Sequence, residues 1–184
     1  MNKTDEQLVV EYFSDMPEAF DQLVSRYLKL IYNFLYSMSK DREAADELTQ
    51  ETFLKVWKNL KKFQVDKNFK VWIYAIARNV LIDWFRKKKN INFSQLDFSE
   101  DNLFEETLID TEPLPPELFE RQEIVEELNG ALTEISPDYR MIILLHDKED
   151  LTFEEIAEIT KKPMNTVKSQ YRRGILALRK RFGL

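Results

Sequence analysis

The chain has 184 residues, of which 43% are apolar, and carries three Gly, six Pro, one His and no Cys. That length admits one medium domain or two small ones, and so few turn residues exclude a strand-rich fold; the expected class is all-α. Without Cys there is no disulfide or thiolate metal site, and His146 alone cannot build the usual zinc cluster, so no cofactor and no metal are expected.

The net charge of −6 argues against a nucleic-acid partner only until its distribution is read. Ser94–Glu120 carries nine carboxylates and no Lys or Arg, whereas Lys61–Lys89 holds nine basic and two acidic residues and Lys161–Arg181 eight basic and none acidic. Such segregation is the footprint of a chain that meets a polyanion with its flanks. The start MNKTDEQLVV lacks a basic start followed by an apolar run with a small-residue cleavage site, and no stretch approaches 18 uninterrupted apolar residues. The expectation is a cytoplasmic protein with no membrane insertion.

Taken in chain order, residues 5 to 89 read as several helices. One runs over about Ala19–Met38. A second covers about Arg42–Lys61, where Ala44, Ala45, Leu48, Thr52, Val56 and Leu60 recur every three or four residues. That stripe is buried, leaving Asp46, Glu47, Gln50, Glu51 and Lys55 to solvent. A third, about Phe69–Lys88, is so apolar in VWIYAIA that it must be packed on most sides before it ends in Arg86, Lys87, Lys88 and Lys89. Residues 90–116 lose periodicity, gather like charges and end in Pro113, Pro115 and Pro116, the composition of a linker. A second helical unit follows to about Phe182, broken at Ser136-Pro137, around Lys148–Leu151 and at Lys161–Pro163. The division is therefore a domain over 1–89, an acidic flexible linker over 90–116 and a domain over 117–184.

Three segments carry functional chemistry. In LTFEEIAEITKKPMNTVKSQYRRGILALRKRF, residues 151 to 182, Thr152 and Glu155 form a capping box, Lys161–Pro163 make a tight turn, and a second helix follows. This is helix-turn-helix spacing, with Ala157 small where the helices cross. Thr166, Lys168, Ser169, Arg172 and Arg173 then present donors suited to phosphates and guanine edges, while Val167, Tyr171, Ile175, Leu176 and Leu178 can face the core. In residues 63 to 89, aromatics alternate with cations as on a platform for unstacked bases. Trp72, Ile73, Ile76 and Val80 are assigned to packing, which leaves Phe63, the loop Asp66, Lys67, Asn68, Phe69 and Asn79 for base contact. The acidic and amide face of residues 41 to 57 is by composition alone a solvated surface.

ADELTQETFLKVW, FKVWIYAIARNVLIDWFRKK and SPDYRMIILLHDKEDLTFEEIAEI with NTVKSQYRRGILAL, in that order, resemble the extracytoplasmic-function (group 4) RNA polymerase sigma factors of bacteria. The resemblance implies a sigma-2-like helical bundle and a sigma-4-like helix-turn-helix domain. It implies that Asp46, Glu47, Leu48, Gln50, Glu51 and Phe53 dock on the clamp helices of the largest subunit of core RNA polymerase, with the second subunit's flap a further contact. Phe63, Asn79 and the loop Asp66, Lys67, Asn68 and Phe69 then match a pocket for a flipped −10 base, and Arg78, Arg86, Lys87 and Lys88 match phosphate contacts. Thr166, Lys168, Ser169, Arg172 and Arg173 fall on the −35 recognition helix. Promoter DNA and an anti-sigma factor are implied partners. The chain departs from the family where Thr160-Lys161-Lys162 replaces a common Leu-Gly-Ile. Catalysis has little to rest on, since there is no glycine-rich phosphate loop or nucleophile elbow, and the rival is a stand-alone helix-turn-helix regulator. The linker, with Phe98, Leu103 and Phe104 among its carboxylates, is expected to thread polymerase's basic channels or to act as a spacer.

Overall fold

The computed structural model describes residues 3–89 and 130–183, and among these every regular element is helical. The first unit comprises α1 (Asp5–Phe13), α2 (Glu18–Ser39), α3 (Arg42–Asn59) and α4 (Phe69–Lys89), with a 3-10 turn, Leu60–Lys62, closing α3. The second begins with helical residues 130–134. It continues through α5 (Pro137–Ile143), a π turn (Leu144–Lys148), α6 (Phe153–Thr160) and α7 (Met164–Arg181). The expected linker, with its Phe98, Leu103 and Phe104, lies outside the described residues.

Local chemistry sets these boundaries. Thr4 and Gln7 form a capping box at the start of α1, and Asp5 in that first turn accepts from Arg26 Nη1 at 2.6 Å and from the Tyr27 hydroxyl. Burial and the Asp5 carboxylate push the Tyr27 pKa upward, so α1 is pinned to α2 by polar bonds as well as by Leu8 and Val9. The stripe Ala19, Leu23, Tyr27, Ile31, Phe34, Leu35 and Met38 buries one face of α2. Lys40 ends that helix in the left-handed conformation, and Asp41 Oδ1 accepts from the Ala44 amide at 3.0 Å to start α3. This two-residue connection folds α3 back onto α2.

The expected stripe of α3, Ala44, Ala45, Leu48, Thr52, Val56 and Leu60, is buried throughout. Its buried hydroxyls are satisfied locally, since Thr49 and Thr52 donate to the carbonyls of Ala45 and Leu48. α4 is enclosed as its apolarity requires: it packs on α2, α3 and, from the second unit, α6, and buries Phe69, Val71, Ile73, Tyr74, Ala77, Val80, Leu81 and Phe85.

In the second unit α7 comes close to α5 at Gly174, where a Cβ would stand 2.8 Å from Ile143 Cδ1 and 3.1 Å from Tyr139 Cβ. Ala157, expected small for such a crossing, is only half-buried. Leu176, placed among the core candidates by its spacing, is 58% exposed. Val167, Gly174 and Leu178 already fill the inward side of α7, and Leu176 is turned away from that stripe.

Candidate nucleic-acid interface

Trp72, Ile76 and Asn79 recur at helical spacing on one side of α4 and face the end of α3. With Lys55, Asn59 and Lys62 they line an open cleft of about 330 Å³. Trp72 and Ile76 are half-buried and Asn79 exposed. An aromatic wall, an amide and two ammonium groups can stack a base, hydrogen-bond its edge and neutralise its phosphate. The structure places Asn79 at this cleft together with Trp72 and Ile76, which pack against the core as assigned and also line the cleft. Their signal was the shared i, i+4, i+7 face with Asn79.

Phe63 and Phe69 do not line the cleft, contrary to expectation. Phe69 is fully buried and Phe63 is 8% exposed; their rings meet edge-on at 5.4 Å and both contact Trp72. They buttress the Trp72 ring from inside, because the turn after α3 needs an apolar anchor under α4. Asp66, Lys67 and Asn68 form an exposed loop, where Asn68 Oδ1 accepts from the Lys70 amide at 2.9 Å and Nδ2 donates to Glu155 of α6 at 2.9 Å.

Arg86, Lys87 and Lys88 are exposed at the end of α4, and the Lys88 ammonium lies 4.6 Å above the Trp84 ring and 3.5 Å from Asp41. The Asp41 carboxyl is held below the usual range, chiefly by the Ala44 amide and further by Lys88. Arg78 differs from the other expected phosphate ligands in being half-buried, with an Nε that has no hydrogen-bond partner among the described residues. Burial lowers its pKa, against the pull of Asp138.

The outer face of α3 presents Asp46, Glu47 and Gln50 fully, and Glu51 and Phe53 partly. Leu48 is a correction: at 2% exposure it belongs to the buried stripe and offers no docking surface. Two apolar side chains do stand open beside this face, Leu54 and Trp57, 49% and 53% exposed. They continue a line from Glu47 and Gln50 at spacings of three or four residues, a pattern legible in the sequence but overlooked there. The Trp57 indole donates to the Tyr12 hydroxyl at 3.1 Å, which fixes the ring while leaving its face open.

The helix-turn-helix is built as its residues predict. Thr152 and Glu155 make a reciprocal capping box at α6, Lys161 closes that helix in the left-handed region, and Pro163 precedes α7. Lys162 in the turn reaches Asp138 of α5 at 2.7 Å. His146 stacks on Phe153 at 4.3 Å, meets Tyr171 edge-on and bonds through Nδ1 to the Leu151 carbonyl at 2.7 Å, so its ring fixes the register of α6 against α7. Burial and the neighbouring Asp147, which accepts from its hydroxyl, raise the Tyr171 pKa. Thr166, Lys168, Ser169, Arg172 and Arg173 are all exposed along one side of α7.

Two family models match the chain, "Sigma-70 region 2" over residues 23–91 and "Sigma-70, region 4" over residues 125–178. The ECF RNA polymerase sigma factor SigX of Bacillus subtilis is 33% identical over 172 residues, covering 92% of this chain and 86% of the relative. This chain belongs to the ECF RNA polymerase sigma factors. SigW of Bacillus subtilis, also an ECF sigma factor, is 30% identical over 89% of the chain and 88% of its own length. The fold recurs in the solved structure of CnrH in complex with the cytosolic domain of CnrY, at 20% identity, TM-score 0.70 and 97% coverage of both chains. It recurs again in the Bartonella quintana sigma factor RpoE in complex with the anti-sigma factor NepR, at 23% identity, TM-score 0.70, and 90% and 97% coverage. In this sigma factor the region 2 match takes in most of α2 and all of α3 and α4, and the region 4 match runs from before α5 through most of α7. No helix among the described residues is long and apolar enough to cross a membrane.

Proposed function

We propose that this sigma factor docks on core RNA polymerase through the outer face of α3, captures a flipped −10 base in the cleft of α4, and reads −35 duplex with α7. The observation that carries the base-capture reading is the placement of half-buried Trp72 and exposed Asn79 in one open cleft edged by Lys55 and Lys62. Asp46, Glu47, Gln50, Glu51 and Phe53, extended by Leu54 and Trp57, form the docking face for the clamp helices; the C-terminal unit meets the flap. Asp66, Lys67 and Asn68 border the opened strand, and Arg78, Arg86, Lys87 and Lys88 hold its phosphates. The functional division follows residues 1–89 and 117–184, joined by the acidic 90–116. Polymerase, promoter DNA and an anti-sigma factor are the proposed partners, and the cytoplasm the place of action.

Flipping a base costs a few kcal/mol, which contacts in the cleft must offset. Asn79 is exposed, so Asn79→Ala leaves the fold intact while removing the amide. It is expected to lower permanganate reactivity of −10 thymines in the open complex and to spare closed-complex binding; unchanged reactivity would remove the cleft from the mechanism. Arg172→Ala should cost promoter-specific run-off transcription about 1–3 kcal/mol if the guanidinium reads a base. An equal loss on templates with and without the cognate −35 sequence assigns it to a phosphate instead. The stand-alone regulator is not favoured, since the alignment with SigX runs through both helical units.

A further inference from the structure

The two helical units are not independent in this structure. α4 packs against α6 and α2 against α5, and one buried carboxylate stands at the join. Glu149, which follows the π turn, is 3% exposed. Its side chain accepts from the hydroxyl of Tyr74 on α4, itself fully buried, and its backbone carbonyl accepts from the ammonium of Lys70 one turn earlier on α4. A third bond crosses beside them, from Asn68 to Glu155 at 2.9 Å. A buried carboxylate is costly unless hydrogen-bonded, and here the donor, the Tyr74 hydroxyl, comes from the other unit. Glu149 is therefore satisfied only while the units are together or once they part far enough to admit water.

The same contact occupies groups that the proposed function needs free. Asn68 belongs to the loop beside the opened strand, and its amide is taken by Glu155 of the helix-turn-helix. Arg78, one turn beyond Tyr74, lies half-buried with Nε unbonded among the described residues and Asp138 of α5 nearby. At another point of the join burial, and after it the charges of Arg140 and Lys148, disfavour the Lys40 ammonium. Favourable bonds at Glu149 thus oppose a guanidinium whose Nη1 reaches Asn79 but whose buried Nε has no partner among the described residues, and a lysine whose charge is penalised by burial, the balance expected of a contact that opens.

We propose that Tyr74 and Glu149 form a latch holding the free sigma factor in a closed arrangement that withholds Asn68 and Arg78 from DNA, and that the latch parts before or during binding to core polymerase. The proposal rests on the functional reading above for what is withheld, but not for the latch itself. The chain's freedom from Cys allows spin labels at Gln22→Cys on α2 and Glu158→Cys on α6, both exposed, in the full-length protein. Double electron–electron resonance on the free protein should give one dominant, narrow distance. Tyr74→Phe keeps the ring but strips the carboxylate of its donor, and should raise the open-to-closed ratio about tenfold. Lys70→Met should move it in the same direction by less, and circular dichroism should show helix content unchanged in both. A wild-type distribution that is already long and broad, or variants that keep the wild-type distribution, would overturn the latch. Association with core polymerase should quicken several-fold in Tyr74→Phe; an opened variant that associates no faster overturns the inhibitory role. Failure of every form to bind core polymerase would instead count against the docking reading and leave the distance result standing.

Discussion

At Gly174 two opposing effects of one methyl group can be weighed. Glycine inside a helix is worse than alanine by roughly 0.5–1 kcal/mol, so on α7 alone Gly174→Ala would stabilise. The added Cβ would meet Ile143 Cδ1 at 2.8 Å and Tyr139 Cβ at 3.1 Å. The first is the end of a pivoting side chain, but the second is attached to the backbone of α5 and yields only if that helix moves. Overpacking of this kind costs about 1–3 kcal/mol and outweighs the helix gain. Gly174→Ala is expected to lower the urea midpoint with an unchanged slope; a raised midpoint would mean that α5 shifts freely. This contact leaves no mark in the sequence, because a lone glycine in a helical pattern carries the same letter whether it is tolerated or required.

Helix ends show how a chain with three glycines stops its helices. Asp15, Lys40, Asp150 and Lys161 all take positive φ, a conformation that costs an L side chain roughly 1–2 kcal/mol and glycine nothing comparable. Lys161 lies in the Thr160-Lys161-Lys162 turn and takes a φ of 56°, a conformation that favours glycine. Lys161→Gly should stabilise by about 1 kcal/mol after the entropy of a freer unfolded chain is subtracted, a rise of about 2–4 °C in Tm; no rise in a calorimetric scan would refute it. Periodicity and capping boxes made α2, α3, α4, α6 and α7 legible in the sequence, since each signal is local. The candidate site was half legible. Asn79, the α7 donors and the acidic face of α3 lie exposed where their spacing put them, but burial separated the aromatics: Phe63 and Phe69 are buried, whereas Trp72, packed on both, keeps one side in the cleft. Leu48 lay on two patterns at once, and packing chose the buried one.

At the scale of the molecule, what the sequence could not disclose is how the two units meet, because Tyr74 reads as one more core aromatic and Glu149 as one more surface carboxylate. Their union also makes closure sensitive to pH, through Lys40. Burial foremost, then Arg140 and Lys148, lower its pKa from the ordinary 10.5 to about 8. Arg140 is buried too, held by the carbonyls of Leu132 and Thr133 and lowered to about 10, and neighbouring Asp41 is ionised and engaged with Ala44 and Lys88. Below pH 8 Lys40 is charged whether the units are together or apart, and the closed form bears the full penalty. As pH rises past 8 the closed form releases the proton while the open form retains it toward 10.5, so closure takes up fewer protons and is favoured by the change. The open fraction measured with labels at residues 22 and 158 should therefore fall between pH 7.5 and 9.5, a range in which Arg140 remains mostly charged. Lys40→Met removes the charge at every pH, and should give a lower open fraction that is flat across the same range. If Lys40→Met keeps the slope, another group governs it, and the crowding of Lys40, Arg140 and Lys148 is not what strains the closed form.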